Sequence, residues 1–117
     1  MIEKTIVNFL NSQGVEAYVS IPEEHGDAFA IVGMTGASLE DHISGARITV
    51  QSYGTRQVQA GELNDRIIGL MVYKLPEWEN ISKVKLETSY PQTDLRTKQY
   101  RYQAVFYVTY MEDYLNV

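Results

Sequence analysis

The chain has 117 residues, 44% of them apolar and 21% charged, with a formal net charge of −5 and no cysteine. That length predicts one compact domain over 1–117, large enough to bury a core without metals or disulfides. The composition excludes disulfides, thiol nucleophiles and cysteine-based zinc sites, and no window reaches the roughly 18 apolar residues a membrane span requires.

The opening "MIEKTIVNFL" has Glu3 and Lys4 ahead of a short apolar stretch, with no small-residue cleavage site. A signal peptide is therefore not expected, and a soluble intracellular protein is. Ile2, Ile6, Phe9 and Leu10 follow helical spacing and Gly14 stands where a helix commonly stops, predicting a helix over 2–12. "VEAYVSI" then alternates Val15, Ala17, Val19 and Ile21 on one face, and Pro22 with Gly26 and Asp27 marks a turn. "AFAIVGM" is β-prone again, so residues 15–34 read as a hairpin.

"TGASLEDHISG" reads as an acidic loop covering 35–45, followed by the alternating "ARITVQSYG". There Ile48, Val50 and Ser52 share a face, opposite Arg47, Thr49, Gln51 and Tyr53. Thr55 is placed to cap the next helix through its hydroxyl. Along that helix Ala60, Leu63, Ile67, Leu70 or Met71, and Leu75 form an apolar stripe that Ile68 and Val72 widen. Gly61 and Gly69 weaken it by about 1 kcal/mol each relative to alanine and suit a close approach to a sheet; Pro76 ends it. "VKLETSY" is a strand, "PQTDLRTK" a polar loop, and "YRYQAVFYVTY" the closing strand. The predicted class is α+β, a mostly antiparallel sheet of about five strands with two helices on one face.

The closing strand sorts Tyr100, Tyr102, Ala104, Phe106, Val108 and Tyr110 onto one face and Arg101, Gln103, Val105, Tyr107 and Thr109 onto the other. The first face grows apolar toward Phe106 and Val108, as a core strand does. A base-stacking platform needs exposed rings in a positive surround, and a domain of net charge −5 is poorly suited to phosphates.

His25 and His42 lie in the acidic stretches "EEHGD" and "EDH"; with Asp27 and Asp41 they form a conceivable metal site, but their spacing matches no established pattern. Glu62 and Asp65 share a helix side and read as a solvated face. No nucleophile elbow or phosphate loop is present; neither catalysis nor a cofactor is expected. Trp78 in "PEWEN" either covers the end of the core or anchors an interface.

Charge is unevenly distributed. Residues 1–46 hold Glu3, Glu16, Glu23, Glu24, Asp27, Glu40 and Asp41 against Lys4 alone, whereas 83–101 hold Lys83, Lys85, Arg96, Lys98 and Arg101 against Glu87 and Asp94. Identical copies placed head to tail complement each other with such a pattern. Uneven scatter of surface charge is the alternative.

Three stretches, "MIEKTIVNFLNS", "ARITVQSYGTRQVQAGELNDRIIGLM" and "YRYQAVFYVTY", together with the order of elements, resemble the tail-terminator (tail-completion, head–tail joining) proteins of long-tailed bacteriophages. The resemblance covers about half the chain and is one of pattern. It implies a structural subunit of the virion tail, assembled in the host cytoplasm. Such a subunit forms a ring, typically a homohexamer, that caps the tail tube protein and offers a surface to the head connector or stopper. It implies no enzyme activity, cofactor, membrane or sequence-specific nucleic acid. A small module binding peptide or nucleic acid through the aromatic closing strand is the alternative.

For a ring contact the expected residues are Glu23, Glu24, Asp27, Glu40 and Asp41 against Arg96, Lys98 and Arg101 of a neighbour, with Tyr107 and Tyr114 at a subunit contact. The loops 35–45 and 90–98, with Thr35, Ser38, His42, Gln92 and Asp94, are the expected reach toward a partner.

Overall fold

The structure, a computed structural model, describes residues 1–40, 43–78, 80–93 and 99–111. Helix α1 (Ile2–Ser12) buries Ile2, Ile6, Phe9 and Leu10, the face its spacing predicts. It stops because Gly14 takes φ +83°, which only glycine adopts without strain. Gln13 and Gly14 donate their amides to the last carbonyls of the helix, at Phe9, Leu10 and Asn11.

The next strand, β1, is only Ala17–Tyr18, and it pairs parallel with β2 (Phe29–Glu40), with Ala17 opposite Ala30. The expected hairpin over 15–34 is therefore wrong in both length and direction. Val15 and Ala17 are buried, but Val19 and Ile21 are each 49% exposed, so the alternation is abandoned after two residues of ladder. Asn11 supplies the reason. Its carboxamide accepts from Ala17 N (3.0 Å) and donates to Ala17 O (3.4 Å), occupying the outer side of β1 and tying it to the helix.

β2 runs directly into β3 (Ile43–Gly54) as a long antiparallel hairpin whose ladder extends from Phe29↔Tyr53 to Glu40↔Ile43. The acidic loop expected over 35–45 is mostly strand, with a register shift at Thr35. Its Gly, Ser and Thr content carried turn chemistry, but pairing with β3 overrode local propensity.

Helix α2 (Gln57–Gly69) continues through a π-helical turn (Leu70–Lys74) and a 3-10 turn (Leu75–Glu77). Pro76 lies inside the 3-10 turn, so the regular helix ends seven residues earlier than the proline suggested. Thr55 does not cap α2: its amide (2.7 Å) and hydroxyl (2.9 Å) both donate to Gln59 Oε1. A methyl on Gly61 would stand 3.4 Å from the Tyr102 ring, so there the helix does approach the sheet; Gly69 has open space beside it.

β4 (Ile81–Pro91) and β5 (Tyr100–Met111) complete a five-stranded sheet of order β1-β2-β3-β5-β4, all antiparallel except the first pair. This is the α+β architecture the periodicity predicts. Both helices contribute to one core, with Phe9, Leu10, Ile67 and Met71 against Val32, Ile48, Val50, Phe106 and Val108. Each such side chain stabilises the fold by about 1.5–3 kcal/mol through removal from water. Trp78 covers the end of this core, edge-on to Phe9 at 5.3 Å.

Candidate interaction surface

With the helices on one side, the other face of the sheet is left open. It carries Ile31, Gly33, Arg47, Thr49, Gln51, Tyr53, Arg101, Gln103, Val105, Tyr107 and Thr109, placed there by two-residue alternation across matched registers.

At the end where β2 begins, rings are stacked. His25 lies 4.1 Å from Phe29, and Phe29 stacks nearly parallel on Tyr53 at 4.8 Å. The Arg101 guanidinium stands 6.0 Å from the Tyr53 ring centre, within cation–π range. This explains why Tyr53, on the open face, is only 6% exposed. Beside the stack is an open pocket of about 300 Å³ lined in part by His25, Asp27, Phe29, Tyr53 and Gln99.

Next along the face comes an amide network. Gln51 Nε2 donates to Gln92 Oε1 and Gln103 Oε1, both at 3.1 Å, and Tyr53 Oη donates to Gln51 Oε1 at 3.1 Å. Gln103 Nε2 donates to Tyr90 Oη (2.7 Å), and Arg101 Nε donates to the Gln92 carbonyl (2.8 Å). Farther on, Arg47 and Glu87 form a surface ion pair at 2.6 Å. The hydrogen bond between them, reinforced by their charges, raises the Arg47 pKa and lowers that of Glu87. Tyr107 lies over Gly45, where a methyl group would meet its Cζ at 2.7 Å, and its hydroxyl reaches Ser38 Oγ at 3.3 Å.

The rings of this face are therefore already used, by one another, by Gln51 and Gln103, and by Gly45. The apolar side of β5 is buried, with Ala104, Phe106, Val108 and Tyr110 in the core. A row of free stacking surfaces is not what the closing strand presents.

Sequence reasoning missed the far end of the hairpin. Met1, Met34, Leu39, Ile43 and Met111 are each between 43% and 71% exposed there. Met34 and Leu39 flank an open groove of about 420 Å³ with Met1, Ile2, Ser44 and Tyr110 on the helix side, whereas Ile43 and Met111 pair on the open face. The available signal was "AFAIVGMTGASL", residues 28–39, which lacks both charge and proline.

The expected contact residues divide between the two ends. Glu23, Glu24 and Asp27 are exposed in the segment before β2, with Arg101 at the same end. Glu40 closes β2 at the opposite end, roughly 36 Å away at about 3.3 Å per residue. Thr35, Ser38 and Tyr107 belong to that second end, and Thr35 and Ser38 sit in a strand. Among the described residues the expected acidic patch is thus divided, with Glu23, Glu24 and Asp27 at one end of the sheet and the backbone of Glu40 at the other.

Gln92 is likewise held to the sheet by its side chain and backbone, not projected on a loop. Asp41, His42, Asp94, Arg96, Lys98 and Tyr114 lie outside the described residues, as does the side chain of Glu40. Glu62 and Asp65 are exposed on α2. Among the described residues no three His, Asp or Glu side chains gather as metal ligands, and no helix is long and apolar enough to cross a membrane.

No family model matches the chain, and no curated protein matches it.

Proposed function

We propose that the chain is a structural assembly subunit of a bacteriophage tail: a ring-forming terminator that caps the tail tube and joins it to the head connector. The observation that carries this reading is the apolar hairpin end of a body 46 Å long, where both faces expose apolar side chains, Met1, Met34 and Leu39 at the groove on the helix side and Ile43 with Met111 on the other. Exposed apolar side chains grouped in this way mark a surface that another protein covers. The resemblance in the opening helix, the β3–α2 unit and the closing strand supplies the kind of assembly. The uneven charge suits a heterologous contact, in which different surfaces of successive copies meet.

The test is a capping assay on purified, growing tail tubes. The chain is expected to halt elongation and to be seen at the tube end by electron microscopy. Leu39→Asp combined with Ile43→Asp should abolish capping while thermal unfolding stays within a few degrees of wild type, because both side chains are already about half exposed. A double variant that still caps at wild-type concentration removes the hairpin end from the contact. Tubes that elongate unchecked with the wild-type chain dispose of the terminator reading.

A further inference from the structure

Among the described residues the sheet has two unpaired edges. β1 covers only Ala30 and Ile31 of β2, and its own outer side is taken by Asn11, so β2 from Val32 to Glu40 has no strand outside it. β4 is the other edge, from Ile81 to Pro91. The two are protected very differently. β4 carries Lys83 and Lys85, two register shifts and a terminal proline, all devices that discourage indiscriminate pairing. β2 has no charge or proline between Ala28 and Leu39.

We infer that the β2 edge of one copy pairs antiparallel with the β4 edge of the next, through residues 37–40 against 83–86, so that the sheet runs continuously around the assembly. This rests on the ring reading above and deepens it by naming the subunit contact. Three observations commit the edge to a second copy.

The first is direction. β2 is antiparallel to β3, β3 to β5, and β5 to β4, so β2 and β4 run in opposite senses. Copies set side by side in one orientation, as a ring requires, present these edges to each other as an antiparallel pair.

The second is charge. The registers Glu40↔Ile43↔Met111 and Ile81↔Tyr110 put the end of β2 and the start of β4 at the same end of the sheet. In that register the backbone position of Glu40 stands opposite Lys83 of the neighbour, with Lys85 two residues on. The third is closure. Head-to-tail pairing uses both edges, whereas β2-to-β2 pairing would leave β4 open in every copy.

The backbone also specifies the test. Ala30 N donates outward to Glu16 O at 2.8 Å. Alternation from there, corrected for the register shift that sets Gly36 opposite Arg47, turns the amides of Ala37 and Leu39 outward. Proline at either position removes an outward donor and no hydrogen bond within the subunit.

Native mass spectrometry of the full chain compares wild type with Ala37→Pro, Leu39→Pro, Lys83→Glu, Glu40→Lys and the double variant Glu40→Lys/Lys83→Glu. Trp78 fluorescence checks each variant for folding. Each proline should weaken association about tenfold. Each single charge reversal should weaken it, most at low salt, and the double reversal should restore it. Should a proline variant unfold, the charge pair decides alone.

Proline variants that fold and form rings like wild type, or a double reversal no better than its singles, overturn the edge pairing and leave the ring reading standing. A two-fold dimer as the largest species overturns the edge pairing as well. A wild-type chain that stays monomeric, alone and on tail tubes, overturns both.

Discussion

Glu16 is the residue on which the segment before β2 turns. Its carboxylate accepts from the Gly26 amide at 2.8 Å and from the Tyr18 hydroxyl at 2.8 Å, holding the far end of that segment against β1. The Gly26 bond, and then the Tyr18 bond, lower its pKa below the ordinary 4.5, against a small opposing effect of burial. A depressed carboxylate contributes stability that is complete above the unfolded value and is lost as pH falls through the folded one. Hydrogen exchange at the Gly26 amide should therefore accelerate beyond its intrinsic pH dependence as pH drops below the ordinary glutamate range. Glu16→Gln should exchange faster at neutral pH and lose that extra dependence. An unchanged profile in the variant would show that the clasp does not hold the segment. None of this was legible in "VEAYVSIPEEHGD", where Glu16 is one acid among several and its partner lies ten residues on.

Elements were legible where packing and local preference agree, and obscure where they conflict. The helix 2–12 and the closing strand carry uninterrupted apolar periods of 3.6 and 2, and each holds the predicted face. The end of β2 carries "TGAS", which is turn chemistry by composition, yet Gly36, Ala37 and Ser38 pair in turn with Arg47, Ala46 and Gly45 of β3, and only Thr35 is left out at the register shift. Nothing in those four residues announces a partner, and only the ladder shows it.

Glycines sharpen the same distinction between local preference and tertiary contact. Gly69 sits in helical geometry at φ −60°, ψ −45°, with nothing within 4 Å of an added methyl, so Gly69→Ala should raise stability by about 1 kcal/mol. At Gly54 the methyl would come 2.7 Å from the backbone nitrogen of Ala60, which cannot swing aside. Gly54→Ala should destabilise by about 1–3 kcal/mol. Chemical denaturation of the two variants reads both signs; a Gly54→Ala protein as stable as wild type would mean the β3–α2 junction is looser than its spacing.

At the scale of the whole molecule, the sheet is two locally closed hairpins, β2–β3 and β4–β5, joined along one seam between β3 and β5. Every residue of that seam, from Ile43↔Met111 to Gly54↔Tyr100, pairs across a stretch of chain that includes α2. The α+β class was readable from element order. The seam was not, because alternation tells which face a strand buries and not which strand lies beside it. The parallel β1 escaped for a related reason, being held by the Asn11 carboxamide and not by its own apolar pattern.

The seam also sets the order of events when the chain folds. Each hairpin closes a short loop, whereas joining them costs the entropy of a long one and gains the buried centre of the sheet only at the end. Zipping β3 against β5 is then the barrier, and β1 docks after it. Phe106→Leu should slow refolding, whereas Asn11→Ala should leave refolding nearly unchanged and speed unfolding, as the two limbs of a denaturant chevron would show. Equal slowing of refolding by both would place β1 inside the nucleus. Before the seam closes, four long strands expose unpaired backbone, and the β2 edge, without a charge from Phe29 to Leu39, is then most open to wrong partners.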